Sequence, residues 1–282
     1  MPTVYEQILA AREDMTEWLV HFTHGNDDGL TARSVLAKIL AEGLLRPGWA
    51  PRRTNSGTRN TVFGPRPAVC FSEQPVGALI NYVGRRDYAK PYGVFVHKMD
   101  AWADGVMPVI YGLNADSEVG DDDPAYVAGQ RTLKPSVLSL DEQYRYVSLA
   151  LHRYGAVPLD WTHEREWRWS SPRGNAINDC FPLAGSGTFS SRGHSDGRVH
   201  VFVQHDGDVA WFKTHLTAKW NAVRSSSTDE EHISYCDRWF GRLRQKIRVF
   251  SLEEASRELA AGNRSVYRLE TWLPVHTRVP IV

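Results

Sequence analysis

A chain of 282 residues, 42% hydrophobic and 23% charged, has the apolar content to bury a large core and lacks the composition of a disordered chain. Thirty-three Lys and Arg balance thirty-three Asp and Glu, which excludes a whole-chain electrostatic footprint for nucleic acid or membrane and leaves only a local patch open. Cys70, Cys180 and Cys236 are widely spaced, odd in number and outside any CxxC pattern, which disfavours a disulfide framework and a thiolate zinc site and suits a reducing cytosol. The first residues carry charges where a signal peptide needs an apolar stretch, and no window approaches the ~20 apolar residues of a membrane span. The expectation is a soluble, cytoplasmic protein with no membrane partner. Length permits one large domain or two small ones, and the chain reads as a core over residues 1–184 with a C-terminal strand and helix extension over 185–282.

In chain order, Val4, Ile8, Leu9 and Met15 stand at helical spacing and predict a helix over 4–18, followed by a short buried strand, LVHFTH, at 19–24. SVLAKILAEGLL at 34–45 is an amphipathic helix with Gly43 as its stop. RPGWAPRRTNSGTRNTVFGPRP at 46–67 has no period and reads as a long loop. AVCFSE at 68–73 is a strand, QPVGALINYVG at 74–84 a helix or turn, and YGVFVHK and VMPVIYG at 92–98 and 106–112 are strands. SEVGDDDPAY at 117–126 is a solvated acidic turn, since it lacks the spacing and closing Glu of a calcium loop. LDEQYRYVSLALHRYG predicts a helix over 140–155, EREWRW at 164–169 a strand, and RVHVFVQH at 198–205 another, after a loop at 185–198. DVAWFKTHLTAKWNAV and SLEEASRELAAG read as helices, and RLETWLPV as a closing strand.

Between Leu19 and Tyr82 these pieces fall in a telling order. A strand with His21-Phe22-Thr23 leads to a helix ending Ile39-Leu40-Ala41-Glu42-Gly43-Leu44, then a loop, then Val62-Phe63-Gly64, a strand with Cys70-Phe71-Ser72, and a helix with Asn81-Tyr82. This resembles the NAD-binding half of the ADP-ribosyltransferase superfamily, above all its poly(ADP-ribose) polymerase and diphtheria-toxin branch. That branch has a His-Gly-Ser/Thr strand, a helix ending Ile-Leu-x-x-Gly-Leu, a Phe-Gly turn, a Tyr-Phe-Ala/Ser strand and an Asn-Tyr pair. The sequence is also similar to bacterial abortive-infection phage-defence proteins with His-Phe-Thr, Cys-Phe-Ser-Glu, Pro-Val-Ile-Tyr and Glu-Arg-Glu-Trp-Arg segments. Resemblance covers residues 19–111 and 160–169. It implies an α+β fold in which two small packed sheets, with flanking helices, form an NAD cleft that holds His21 and Glu166, with NAD as substrate.

Roles follow position by position. The resemblance implies that His21 bonds the adenosine-side ribose, that Thr23 fixes the His21 ring, and that the backbone of Phe22 holds the nicotinamide amide. It implies that Tyr82 stacks on the nicotinamide and that Ser72 reaches its carboxamide. Cys70 or Phe71 stands where the branch has a tyrosine. Enzymes of this class need a carboxylate beside the scissile bond, because its cleavage builds positive charge on the ribose. Strand alternation sends Glu164, Glu166 and Arg168 to one face of 164–169 and Arg165, Trp167 and Trp169 to the core. The paired glutamates resemble the Glu-x-Glu of arginine-targeting transferases, which makes Glu166 catalytic and Glu164 its partner towards the acceptor. The bland alternative is an edge strand of exposed ion pairs worth under ~1 kcal/mol.

Arg46, Arg52, Arg53 and Arg59 are either solvated or grip phosphate, with Arg52 on the NAD pyrophosphate or on a nucleic-acid or protein acceptor. His21 and His24 match no metal motif, and none is assigned. Cys70 between apolar neighbours reads as a core thiol. The expected function is NAD-dependent ADP-ribosylation of a macromolecule, or NAD hydrolysis, by a toxin or anti-phage effector kept silent by a neutralising partner protein. Three alternatives stay open: a catalytically degenerate binding or sensor module of an abortive-infection system, a metal-dependent nuclease using His21, His24 and Glu164 or Glu166, and a plain interaction module.

Overall fold

The computed structural model describes residues 12, 14–25, 29–54, 57–84, 92–112, 118–120, 122–126, 129–148, 153–154, 157–158, 162–171, 179–183, 199–226, 228–231, 233–234, 237–238, 240–241, 247–267 and 269–272. Helices and strands mix in an α+β arrangement. The chain divides into two compact units that interleave in sequence: unit 1 comprises 1–44, 73–104 and 182–282, and unit 2 comprises 45–72 and 105–181. This partition differs from one cut at residue 184. Among the described residues no helix is long and apolar enough to cross a membrane.

Unit 1 contains β1 (Trp18–Thr23), α1 (Ala32–Glu42), α2 (Val76–Gly84), β5 (Tyr92–His97), α3 (Lys98–Ala103), β10 (Val199–Val203), α4 (Asp206–Ser225), β11 (Ile247–Ser251), α5 (Leu252–Ala260) and α6 (Leu269–Trp272). Its strands run in the order β11-β10-β5-β1, with β10 and β11 parallel and the other pairs antiparallel. Alternation along β1 sends Trp18, Val20 and Phe22 into an apolar cluster with Phe95, Phe202 and Phe250, and so puts Leu19, His21 and Thr23 on the other face. α1 begins where the Thr31 side chain accepts from Ser34 N, and ends at Gly43, whose φ of 69° suits glycine and whose N–H bonds Ile39 O. Asp208 accepts from Arg33 Nη1 at 3.1 Å and from the Tyr92 hydroxyl at 3.0 Å, which ties the starts of α1, β5 and α4 together. Burial, and then the bond to Asp208, push the Tyr92 phenol up to about 12.

Unit 2 contains β2 (Pro51–Thr54), β3 (Gly57–Asn60), β4 (Val69–Ser72), β6 (Met107–Pro108), β7 (Ile110–Gly112), β8 (Tyr146–Ser148) and β9 (Glu166–Trp169). Here the order is β4-β9-β6, all antiparallel, beside a β2/β3 hairpin and a parallel β7/β8 pair. The Phe-Gly turn is held at Gly64, with φ +77°, by Gly64 N to Arg131 O at 2.7 Å. Gln143, fully buried, spends its amide on Leu133 N, Leu133 O and Leu138 O, so the segment before β8 is fixed by a side chain.

Five elements differ from the sequence expectation. The segment 46–67 contains the β2/β3 hairpin and is not one long loop. The helix expected over 140–155 is a 3-10 turn at Gln143–Arg145 followed by β8 and a short strand at Arg153–Tyr154, and burial of Tyr144 and Tyr146 follows a period of two. The closing strand is α6, where Leu269 and Trp272, three apart, are both buried at helical spacing. VMPVIYG is split into β6 and β7. Strand β11 was not anticipated. Most of the helix at 4–18 and the whole loop at 185–198 lie outside the described residues, while Trp18 already belongs to β1.

Gly93 lets β1, β5 and β10 meet. It is the register partner of both Phe22 and Phe202, and a Cβ there would sit 2.5 Å from His21 O and 2.5 Å from the Phe202 ring. Gly93→Ala is expected to lower stability by about 1–3 kcal/mol through overpacking, with part recovered by adding Phe202→Leu. Urea denaturation of the two variants checks this, and an unchanged midpoint for Gly93→Ala rejects it.

Candidate active site

Glu166 opens β9 directly after a 3-10 turn, Thr162–Glu164, and the change of direction falls on Arg165, whose φ is +45°. Arg165 N bonds Thr162 O at 3.1 Å, which closes the turn. A non-glycine residue in the left-handed region is uncommon and stores strain. The kink also corrects the expected alternation: Glu164 belongs to the turn and not to the strand, so the two glutamates are not simple i, i+2 neighbours on one face.

The backbone of Glu166 is held at both groups. Its N–H donates to the Tyr111 hydroxyl oxygen at 3.2 Å and its carbonyl accepts from Val109 N at 3.1 Å. Arg168 Nε donates to Glu166 Oε1 at 2.8 Å, while Arg168 Nη1 donates to the carbonyls of Tyr144 and Tyr146 at 2.8 and 3.2 Å. The Arg168 side chain is 3% exposed and that of Glu166 18%, so the pair is withdrawn from water, unlike the exposed ion pairs of the alternative edge-strand reading. Desolvation works against the Arg168 charge, but the charge of Glu166 and then the neighbouring Cys70 outweigh it, and the guanidinium pKa is raised.

Ser72 stands opposite Glu166 on β4, is buried, and donates from Oγ to Glu164 Oε2 at 3.2 Å. Glu164, Glu166 and Ser72 are therefore gathered at one end of β9. Tyr111 belongs with them: burial raises its phenol pKa, and the charges of Glu166 and Glu164 raise it further. Tyr111 closes the Pro-Val-Ile-Tyr segment, but nothing in the sequence ties it to Glu166, 55 positions away. Cys70, the register partner of Arg168, is half-buried and not a sealed core thiol.

The remaining site residues lie in unit 1 or beyond side-chain description. His21 is half-buried on β1, on the face away from the aromatic cluster. Phe22 packs on that cluster, with its ring edge-on to Phe202 at 6.0 Å. The Thr23 hydroxyl lies 3.2 Å from Ala32 O and 3.3 Å from Tyr92 O, contacts that anchor the end of the strand. Tyr82 is placed on α2 in unit 1 and Arg52 on β2 in unit 2 by backbone alone. Among the described residues no three His, Cys, Asp or Glu gather as a metal site would require. Comparison with family models, curated proteins and solved structures returns no match for the chain.

Arg168→Met takes from the largely buried Glu166 the cation it pairs with and from two carbonyls the Arg168 donor, and the expected cost is about 3–5 kcal/mol. Adding Glu166→Gln is expected to recover part of it. A cost under about 1 kcal/mol in urea denaturation would show that the pair holds nothing in place.

Proposed function

We propose that the chain is an NAD-dependent ADP-ribosyltransferase, passing ADP-ribose to a macromolecule or, with water as acceptor, hydrolysing NAD, and that Glu166 is its catalytic carboxylate. The observation that supports this most is the fixed state of Glu166, held by Arg168 through Oε1 and by Tyr111 and Val109 through its backbone. When the bond between the nicotinamide nitrogen and ribose C1 breaks, the bonding pair leaves with nicotinamide and positive charge builds on the ribose. A carboxylate already oriented stabilises that charge more than the ground state and needs no reorganisation. Oε2 is the oxygen assigned to the ribose. The acceptor forms its bond to C1 and releases a proton, which is assigned to Glu164.

Ser72 Oγ, donating to Glu164, keeps lone pairs with which to accept from the nicotinamide carboxamide. The resemblance to the transferase superfamily assigns His21 to the adenosine-side ribose, Phe22 to the amide through its backbone, Tyr82 to the nicotinamide face and Arg52 to the pyrophosphate. A second reading, a binding or sensor module of an abortive-infection system, is favoured by one observation. Phe71, one of the two residues that stand where the branch has its tyrosine, is buried with its ring 5.3 Å from that of Phe181, so it belongs to the core.

Millimolar NAD is expected to raise the thermal midpoint, since a ligand bound only by the native state stabilises it, and Tyr82→Ala to remove the shift. Glu166→Gln keeps an oxygen for Arg168 Nε and is expected to retain the shift while losing nearly all nicotinamide release. A shift without turnover in the wild type selects the sensor reading, and equal turnover in wild type and Glu166→Gln rejects the assignment of Glu166. As an effector without its neutralising partner, the wild-type chain is also expected to arrest growth on strong expression. Glu166→Gln, at matched expression, is expected not to, and arrest by both would mean that toxicity is not catalytic.

A further inference from the structure

Between Gly43 and Ser72 the chain carries Arg46, Arg52, Arg53, Arg59 and Arg66 and not one Asp, Glu or Lys. In a protein of zero net charge this is a local excess of five positive charges over 30 residues, all of them guanidinium groups. The hairpin sharpens the pattern. Its register sets Arg52 directly opposite Arg59 and Arg53 directly opposite Thr58. Like charges at directly opposed positions of an antiparallel pair destabilise it, because the two Cβ atoms are only ~5 Å apart. The ladder therefore holds a like-charged pair at one of its four opposed positions, an arrangement that a bound polyanion relieves.

The base of this ribbon is fixed. Asn60 Nδ2 donates to Gly129 O at 3.1 Å and to Gln130 Oε1 at 2.9 Å, and Thr61 Oγ1 donates to Ala50 O at 2.9 Å. Trp49, one residue before Ala50, packs against Val62, Ala68 and Tyr144 and remains partly exposed. Arg66 Nη2 pairs with Asp141 Oδ1 at 2.6 Å.

We infer that the β2/β3 hairpin is a nucleic-acid-binding ribbon that grips the phosphodiester backbone through Arg52 and Arg59. A guanidinium binds phosphate through a planar fork, and a phosphodiester chain presents successive charges to successive arginines. A two-stranded ribbon is also one of the two protein elements that a duplex groove admits. The binding does not require the transferase reading, and it takes Arg52 for the phosphodiester in place of the NAD pyrophosphate; only the further step, that the bound nucleic acid is the acceptor, rests on that reading.

The test is fluorescence anisotropy of the full chain with a labelled single strand and with its duplex, in the absence of NAD, at about 50 and about 200 mM salt. Affinity is expected to fall steeply with salt. Arg52→Ala with Arg59→Ala is expected to weaken binding by about tenfold or more and to reduce the slope of log K against log salt by about 1.4 for the single strand or about 1.8 for the duplex. Arg52→Lys with Arg59→Lys keeps the charge and most of the slope. Arg59→Glu places an opposite charge across from Arg52, so it is expected to hold or raise the thermal midpoint while removing binding, which separates recognition from folding. Whichever nucleic acid binds more tightly identifies the strand form. No binding at low salt overturns the inference, as does equal affinity of the wild type and the double alanine variant. Poly-glutamate bound as tightly, with the same loss in the variants, would make the partner an acidic protein, and displacement of the oligonucleotide by millimolar NAD would return Arg52 to the pyrophosphate. Because binding is measured before any NAD is added, its failure leaves nicotinamide release untouched as a measure of the transferase.

Discussion

A guanidinium sealed from water is the constraint on which unit 2 is organised. Arg168, 3% exposed, loses most of its hydration, and what compensates it is one carboxylate oxygen and two backbone carbonyls, each supplied by a defined part of the chain. Glu166 is two residues back on the same strand, and Tyr144 and Tyr146 flank the start of β8. The geometry of one arginine thereby joins the strand that carries the candidate carboxylates to the segment that follows the 3-10 turn. A buried ion pair of this kind adds little net stability by comparison with an apolar core, but breaking one side of it is costly. Its value is positional, because a carboxylate fixed before substrate arrives contributes more to a developing cation than one that must reorient.

The parts of the fold legible in the sequence are those whose signal is local. Thr31 and Gly43 bracket α1 because a side-chain oxygen and a residue without Cβ suit its two ends, and both chemistries are visible in a single residue. β1, β4 and β5 are short apolar runs bounded by polar residues. The misread segments depend on partners distant in sequence. Which of the apolar residues around Tyr144 and Tyr146 are buried is undecided until Gly112, whose missing Cβ makes room for the Tyr146 ring, is known to lie beside them. Leu269 and Trp272 read as strand residues in an alternating window but share a helix face in the core.

The same division runs through the site. Glu164, Glu166 and Ser72 were named from the chain alone, and the structure gathers them because β4 and β9 pair in the register Ser72 to Glu166. Their environment was not legible. The alternation of its strand puts Arg168 on a solvent or cleft face, and nothing in EREWRW reveals that the carbonyls of 144 and 146 meet its guanidinium. Arg165 looked like a strand residue, although its left-handed backbone sets the relation between the two glutamates. The resemblance assigns Thr23 to the His21 ring, yet the Thr23 hydroxyl is directed to Ala32 and Tyr92 carbonyls.

The interleaving of the two units bears on how the chain acquires its structure as it is made. The polypeptide passes from one unit to the other at 44/45, 72/73, 104/105 and 181/182. Unit 2 is complete in covalent terms once residue 181 has emerged, whereas β5 waits for β10 to be synthesised before its second edge is paired. From His97 to Val203 that delay is roughly 10 s at ordinary elongation rates. During it, the apolar face of β1 and β5 has an open edge next to Phe95, a nascent surface suited to chaperone capture or to mispairing with another ribosome's product. Vectorial synthesis therefore favours early formation of the carboxylate-bearing unit and late closure of the one that carries His21, and neither unit can be excised as a single continuous fragment.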